Sequence, residues 1–522
     1  MKKIYMSLTG IIIMALCITS LSAQSMFNVS ILDNPYPGYL NFDWLHSSNF
    51  AKLDNYGNLV GTENPSRASN FFRPLKNGNF AQYAGNVYLI YDKNMNLIDS
   101  VKNTTNYDLD FHDFIQLENG NYLMLMTYWV EKDLSQIVEG GRTDAMIMHN
   151  ALVEAKNNGQ VVWTWDGAQK YDILDVTSDI DLTQKMIDFT HINSMHEDAN
   201  GNILVSVRHL DELSLIDKST DNFIWRMGGS KSKKNQFTFL NDVLEGFYGF
   251  SHQHTATILP NGNILLYDNG NMKSPQYSRV VEYSINSSAK TVSKVWEYRT
   301  SPDIFSHAMG SVDRLPNGNT LICWSRGKIT EVRMDKTIAL EITFPSNYPV
   351  YRACKSFSNL KFTNQNIQNT GTYSFDADGN QTGVTLVVSN LTGKGNTYVQ
   401  YHNYPPHSGK YSDTIFSEIL PHRWVLSYDN PFQMSGTIKI KLSNLGNIQE
   451  PSKIVIYKRD KEGSGTFSRL TTTYNQSTNE ITAPFMGWGE FVLAYVDLKN
   501  QLLLLQQMIL MLKFQAQCNG HK

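Results

Sequence analysis

The 522-residue chain is short of charge and of cysteine, and it lacks nucleotide-binding loops; each shortage narrows what the protein can be. Charged residues make up 18% of it and the formal net charge is −3, so nothing in the balance suits a polyanion and nucleic acid is not expected as a partner. Four cysteines are present, Cys17, Cys323, Cys354 and Cys518, with no metal-ligand spacing among them. Removal of Cys17 with a leader leaves an odd number, and Cys323, between Ile322 and Trp324, reads as a small buried apolar residue rather than half of a disulfide. No GxxxxGK[ST] loop and no GxGxxG occurs, so a nucleotide has no recognisable cradle and no cofactor is expected. His196-Glu-Asp-Ala-Asn200 is not an HExxH pair and the carboxylates are scattered, so no metal is expected either.

What is present points to strands. Aromatic residues are 12% of the chain and Gly and Asn are frequent, a composition that fits an all-β protein rich in turns. Lys2 and Lys3 precede an apolar run, Ile11–Ile18, that ends at small residues, Ser20–Ala23. This is the pattern of a secretory leader, 1–23, cleaved after Ala23, and it predicts export to the periplasm or beyond with no stable membrane insertion afterwards.

A Gly-Asn pair then recurs at Gly57, Gly78, Gly120, Gly201, Gly262 and Gly318, most often ahead of an apolar run, as in Leu259-Pro-Asn-Gly-Asn-Ile-Leu-Leu-Tyr-Asp268. Asn and Gly accept the positive φ of a tight hairpin, and the run that follows has the length of a buried strand. Trp-bearing strands follow several pairs, at 161–167, 222–229 and 294–300. Recurring sheet units of this size predict a six-bladed β-propeller over 24–350, with 128–190 and 227–250 as long loops on one face. The pattern stops near Phe344. Alternating strands over 360–496 predict a β-sandwich of immunoglobulin-like size with an accessory role, in which Trp424 and Trp488 serve packing. The Leu- and Gln-rich tail, 497–522, is too short and interrupted to span a bilayer.

The informative histidines sit ahead of the turns. His112 and Asp113 precede one; His191, Asn193 and His196 the next; His252 and His254 the third; His307 the last. In a propeller, residues at one end of the innermost strands converge on the axis, so these side chains are expected in one pocket with Arg208 within reach. Imidazole, amide and guanidinium groups without clustered carboxylates suit transfer of a sulfuryl or phosphoryl group: a neutral imidazole attacks while cationic donors hold the charged oxygens.

His191-Ile-Asn193-Ser194, the strand ending Ser206-Val-Arg208-His209, and Gln253-His254-Thr255-Ala256 followed by Asp268-Asn-Gly270 resemble the bacterial arylsulfate sulfotransferases. His112-Asp113 ahead of Glu118-Asn-Gly-Asn121 looks like that family's first active-site histidine. The resemblance covers roughly residues 50 to 350. It implies a six-bladed propeller that moves sulfate from an aryl sulfate to a phenol without a nucleotide donor. It implies further that His254 becomes transiently sulfated, that His112, His191, Asn193 and Arg208 bind the sulfuryl oxygens, and that a histidine protonates the departing phenolate. His252 and His307 are expected to contact substrate. Two other readings use the same residues: a metal-dependent propeller enzyme such as a lyase, and a non-catalytic scaffold whose sandwich docks partners or glycans.

Overall fold

A computed structural model describes residues 27–43, 50–63, 72–345, 349–357, 360–376, 381–406, 409–413, 415–446 and 448–496. The expected leader (1–23) and tail (497–522) lie outside these residues. Among the described residues the chain is all-β, its only helices being three-residue 3-10 turns such as Gly167–Gln169. None is long and apolar enough to cross a membrane.

Residues 28 to 356 form six successive sheets of four or five strands in a propeller-like arrangement. Within each, neighbouring strands of the main path are antiparallel and joined mostly by short turns. The first strands of successive sheets also meet: Asp108–Gln116 packs on Ile192–Glu197, which packs on His254–Ile258, which meets Ser311–Arg314.

The Gly-Asn pairs explain the local order. All six glycines have φ between 77° and 86°, and at five of them, Gly57 excepted, no heavy atom would obstruct a Cβ. It is therefore the left-handed conformation that demands glycine at those turns, and not a lack of space. The preceding Asn closes the turn from its side chain, as Asn261 Oδ1 accepts from the Asn263 amide at 3.0 Å. The following Asn then donates to a buried glutamate on the third strand of its sheet. Asn121 reaches Glu154, Asn263 reaches Glu282 and Asn319 reaches Glu331, at 2.6–2.7 Å.

Five of the pairs join the first and second strands of a sheet. Gly57 is out of phase, because it joins the third and fourth strands, Phe50–Leu53 and Leu59–Glu63. The first strand of that sheet comes from the far end of the region: Ala353–Ser356 pairs with Tyr39–Asp43. In exchange, Asn28–Leu32 adds to the outer edge of the last sheet, against Ile338–Thr343. The sheets thus run on to Ser356, past the expected boundary at 350.

The tryptophan-bearing strands are the fourth of their sheets, and their indoles tie each sheet to the next. Trp163 donates to Asp221 at 2.8 Å and Trp296 to the Met334 carbonyl at 2.9 Å, while Trp165 is almost wholly buried. The stretch 128–190, expected as one long loop, is interrupted by sheet strands. The hairpin of Tyr122–Lys132 with Ala145–Ala155 occupies its first part, and Val161–Asp166 follows. The connections are 133–144, at the tip of the hairpin, and the longer stretch from Gly167 to His191, which holds the short strand Met186–Asp188. Tyr122–Met126 is buried throughout and Trp129–Lys132 is exposed, which is why this strand resembles neither core nor loop in sequence.

Residues 361 to 496 form two sheets, of seven and five strands, facing each other across a core that includes Trp424, Ile438, Ile456 and Phe491. They join the first region through buried charges. Arg423 lies 3.0 Å from Glu490 and 3.3 Å from Glu462, and Tyr56 and Asn55 of the first region donate to those two glutamates at 2.6 and 3.0 Å.

Candidate active site

Three adjacent first strands carry a β-bulge at the same end, and the histidines sit in or beside those bulges. Asp110–Asp113 stand opposite Leu125 alone, with the register resuming at Phe114 against Met124. Asn193 is the extra residue between Ile192 and Ser194, and Thr255 and Ala256 interrupt the pairing that starts at His254 against Tyr267. A bulge re-aims the side chains it carries and raises local twist. His191, Asp211, His252 and Thr255 also have φ of 49–54°, a strained conformation for residues with a Cβ that clusters at functional sites.

The side chains meet in a chain of rings. His112 and His191 have centroids 4.8 Å apart, and His191 and His209 4.7 Å. Tyr351 lies between the two sides, 5.9 Å from His112 and 6.2 Å from His254. Arg208 follows the strand that pairs with Ile192; its amide donates to the His191 carbonyl at 3.1 Å and its guanidinium to the His307 carbonyl at 2.9 Å.

His254 is 2% exposed, and its tautomer is set by its neighbours. Asn269 donates through Nδ2 to the carbonyls of Ser306 and Met309, at 2.7 and 2.9 Å. Its Oδ1 therefore faces His254 Nδ1 at 2.7 Å, and that nitrogen must carry the proton. Nε2 keeps its lone pair and accepts the Met309 amide at 3.2 Å. Burial, then the Arg208 guanidinium, hold the proton affinity of His254 well below that of an ordinary imidazole, so the ring is neutral.

His112 is tuned the other way. Burial opposes its charge, but Asp110, 2.6 Å from Nδ1, prevails and raises its pKa. His191 bonds Asp188 through Nδ1, yet burial still lowers its pKa. His209 donates to the Asp188 carbonyl at 2.8 Å and burial takes its pKa to about 3. The cluster thus holds an imidazole biased toward charge beside others biased against it.

The remaining expected residues fall in different places. Asn193 is completely buried and donates to the Gln253 carbonyl at 2.8 Å, while its Oδ1 has no partner. His252 lies between two carboxylates, Nε2 2.9 Å from Asp179 and Nδ1 3.0 Å from Asp211, although Nδ1 makes no hydrogen bond there. Burial opposes its charge, but the two carboxylates raise its pKa. The His307 side chain is exposed, and it is the carbonyl that Arg208 and Asn271 hold. His196 lies further along its strand, where burial brings its pKa down to about 4.

Sequence reasoning did not single out Asn269, Tyr351, His209, Asp110, Asp188, Asp179 or Asp211. Only Asn269 and His209 had a signal, as the middle of Asp268-Asn-Gly270 and the end of Ser206-Val-Arg208-His209. Asp188, His191 and His209 bring ligand atoms within 4.8 Å of one another and so could hold a metal ion, although hydrogen bonds within the trio already engage Nδ1 of both imidazoles.

A family model described as "Arylsulfotransferase (ASST)" matches residues 17–353. Among curated proteins none matches. Solved structures with similar folds include a protein of unknown function from Bacteroides caccae, 10% identical at a TM-score of 0.40, covering 62% of this chain and 99% of that one. Virginiamycin B lyase from Staphylococcus aureus, as an inactive variant with quinupristin, is 9% identical at 0.33, covering 61% and 88%. The β-propeller domain of Myceliophteria thermophila Cps50 (Swd1) is 8% identical at 0.32, covering 63% and 89%.

Proposed function

The chain belongs to the arylsulfotransferase family and is a sulfotransferase enzyme acting on small molecules; on that premise we propose that it works in two steps through a sulfated His254. In the first, Nε2 attacks the sulfur of an aryl sulfate. The N–S bond forms as the S–O bond to the ring breaks, and the departing phenolate takes a proton from His112. In the second, an acceptor phenol gives its proton back to His112, its oxygen attacks sulfur, and the N–S bond breaks to restore neutral His254. Charge on the three sulfuryl oxygens is met by Arg208, His191 and His112, as positioned cationic and hydrogen-bonding groups do for phosphoryl transfer. Asn193 and His252, both enclosed, orient the His252–His254 segment. His307 contributes its carbonyl to hold Arg208.

The observation that carries this reading is the pairing of opposites. His254 has an unprotonated Nε2 fixed by Asn269, and His112, though burial opposes its charge, has its pKa raised by Asp110 and is biased toward the protonated form. A nucleophile needs the first and a general acid the second.

The same proposal covers the architecture. The six sheets close into a six-bladed propeller, completed by Ala353–Ser356, with the site at one mouth of the axis. The two C-terminal sheets form an immunoglobulin-like accessory domain, 360–496, and the protein is exported to the periplasm or cell exterior after removal of 1–23.

The test is release of p-nitrophenol from p-nitrophenyl sulfate by the purified chain, with and without a second phenol, under chelator. Release that depends on added phenol and falls by roughly 10³-fold or more in His254→Ala supports the scheme. Activity that survives in the variant, or that disappears with chelator alone, sinks it.

A further inference from the structure

Side chains one position past the site residues stitch the first strands of successive sheets together. Asp113, next to His112, accepts the Met195 amide at 2.7 Å through Oδ2. Ser194, next to Asn193, accepts the Ala256 amide at 3.0 Å. Thr255, next to His254, donates to the Gly310 carbonyl at 3.3 Å, and Ser311 accepts the Ala353 amide at 3.2 Å. All four are buried. Each of these strands ends its sheet and has a ladder on one side only, so backbone groups on its free edge need partners from elsewhere.

Asp113 stands apart as the charged member of the series. It has no exposed surface; its Oδ1 meets the Arg73 guanidinium and lies 3.4 Å from that of Arg352. Arg73 belongs to Phe72–Pro74, and Arg352 immediately precedes Ala353–Ser356. One carboxylate therefore links its own strand to three others around the site. Burial opposes its charge, but Arg73 and Arg352 prevail and hold its pKa below the usual carboxylate value. Its place in the bulge matters as well. Residues 110–113 stand opposite Leu125 alone, so the ladder does not fix where His112 sits. What fixes it are the carboxylates on either side: Asp110 accepts the His112 amide at 2.7 Å, and Asp113 anchors the bulge to the neighbouring strands.

We propose that Asp113 is a positioning residue for the general acid, holding the bulge that carries His112 at a fixed distance from His254. The proposal rests on the sulfuryl-transfer reading and adds to it a residue that touches no substrate. Asp110 sets the charge of the His112 ring, and Asp113 sets its place. A displaced acid matters only where the departing oxygen needs its proton. Phenyl sulfate releases a phenolate whose conjugate acid has a pKa of about 10, as for a tyrosine, whereas p-nitrophenolate is a far weaker base and leaves with little help.

The experiment measures kcat/KM for phenyl sulfate and for p-nitrophenyl sulfate, with 1-naphthol as common acceptor, in the full chain and its variants. Urea midpoints are taken alongside. In Asp113→Asn the value should fall about tenfold more on phenyl than on p-nitrophenyl sulfate. Arg73→Gln, at a partly exposed position and so milder on folding, should show the same preference to a smaller degree, and it decides the matter should Asp113→Asn not fold. Ser194→Ala loosens the strand of His254 instead and should slow both donors equally. Loss of folded protein lowers both rates in proportion, so a selective loss separates positioning from stability. Equal losses on the two donors in Asp113→Asn and Arg73→Gln, or a lower midpoint with unchanged kinetics, would overturn the proposal alone. A parent chain that transfers from neither donor would overturn it together with the reading it rests on.

Discussion

The histidine cluster and the junction around Arg423 both remove ionisable groups from water, and they satisfy them differently. At the junction Arg423 faces Glu490 and Glu462, Arg459 bonds Glu490 at 2.7 Å, and the Arg423 guanidinium lies over the rings of Tyr56 and Tyr404. Opposite charges there are matched within one group of residues, although Nε and Nη2 of Arg423 make no hydrogen bond, and none of these side chains sits on a left-handed backbone. At the histidines, like groups adjoin one another and Asn193 Oδ1, Asp188 Oδ1 and Asp211 Oδ2 lack partners. Four non-glycine residues there also hold positive φ. Matched charge on relaxed backbone is what holding two regions together requires. Adjoining like groups on strained backbone are what a reacting group finds useful.

The contrast can be broken by exchanging the outcomes. Glu490→Gln leaves two buried guanidinium groups short of their shared carboxylate, and should cost about 3–5 kcal/mol, read as a lower urea midpoint. Turnover below the transition should change less than twofold. A variant as stable as the parent would mean that the junction does not hold the regions together.

Asn269→Ala should do the reverse. It frees the His254 tautomer and should lower kcat by roughly 10²-fold with KM nearly constant. Asn269→Asp, which still accepts from Nδ1, should recover part of that loss. A drop in thermal stability without the kinetic split would return Asn269 to a packing role.

The pH profile sharpens the same point. His112 has its pKa raised because Asp110 prevails over burial, so it acts as an acid below that raised value and activity declines as pH climbs through it. Asp110→Asn removes the cause, and the basic limb of kcat/KM should move to lower pH. An unmoved limb would assign the acid to another group. The smallest effect is expected away from both places. Asn263→Ala should cost about 1–2 kcal/mol through the lost bond to buried Glu282, with activity intact.

How much of this was legible follows from the range of each interaction. The Gly-Asn turns could be read because positive φ is a property of the residue itself, and the tryptophan strands because aromatic β-rich runs are local. Gly57 was out of phase for a non-local reason, since its sheet borrows a first strand from residue 353 onward. His112, His191 and His254 did come together with Arg208. Their carboxylate and amide partners were not read, because Asp110, Asp188 and Asn269 matter only once bulges have turned the rings toward them. Tyr351 lies past the last repeat and nothing in its neighbourhood announced it. Alternation exposed the C-terminal strands, but it gave no hint of a hydroxyl left unpaired at Ser427.

The exchange of strands between the two ends of the first region has a bearing on how the chain is made. Asn28–Leu32 waits for Ile338–Thr343, and Tyr39–Asp43 waits for Ala353–Ser356, each across more than three hundred residues. A chain synthesised from its N-terminus must therefore carry two unpaired strand edges until the whole first region has been made, the condition that invites pairing with other chains. Such distant contacts also slow folding, because the loop entropy is spent before any pairing is gained. Once the late strands arrive, they satisfy both edges within about twenty residues of each other, and the earliest and latest parts of the region become the same piece of structure.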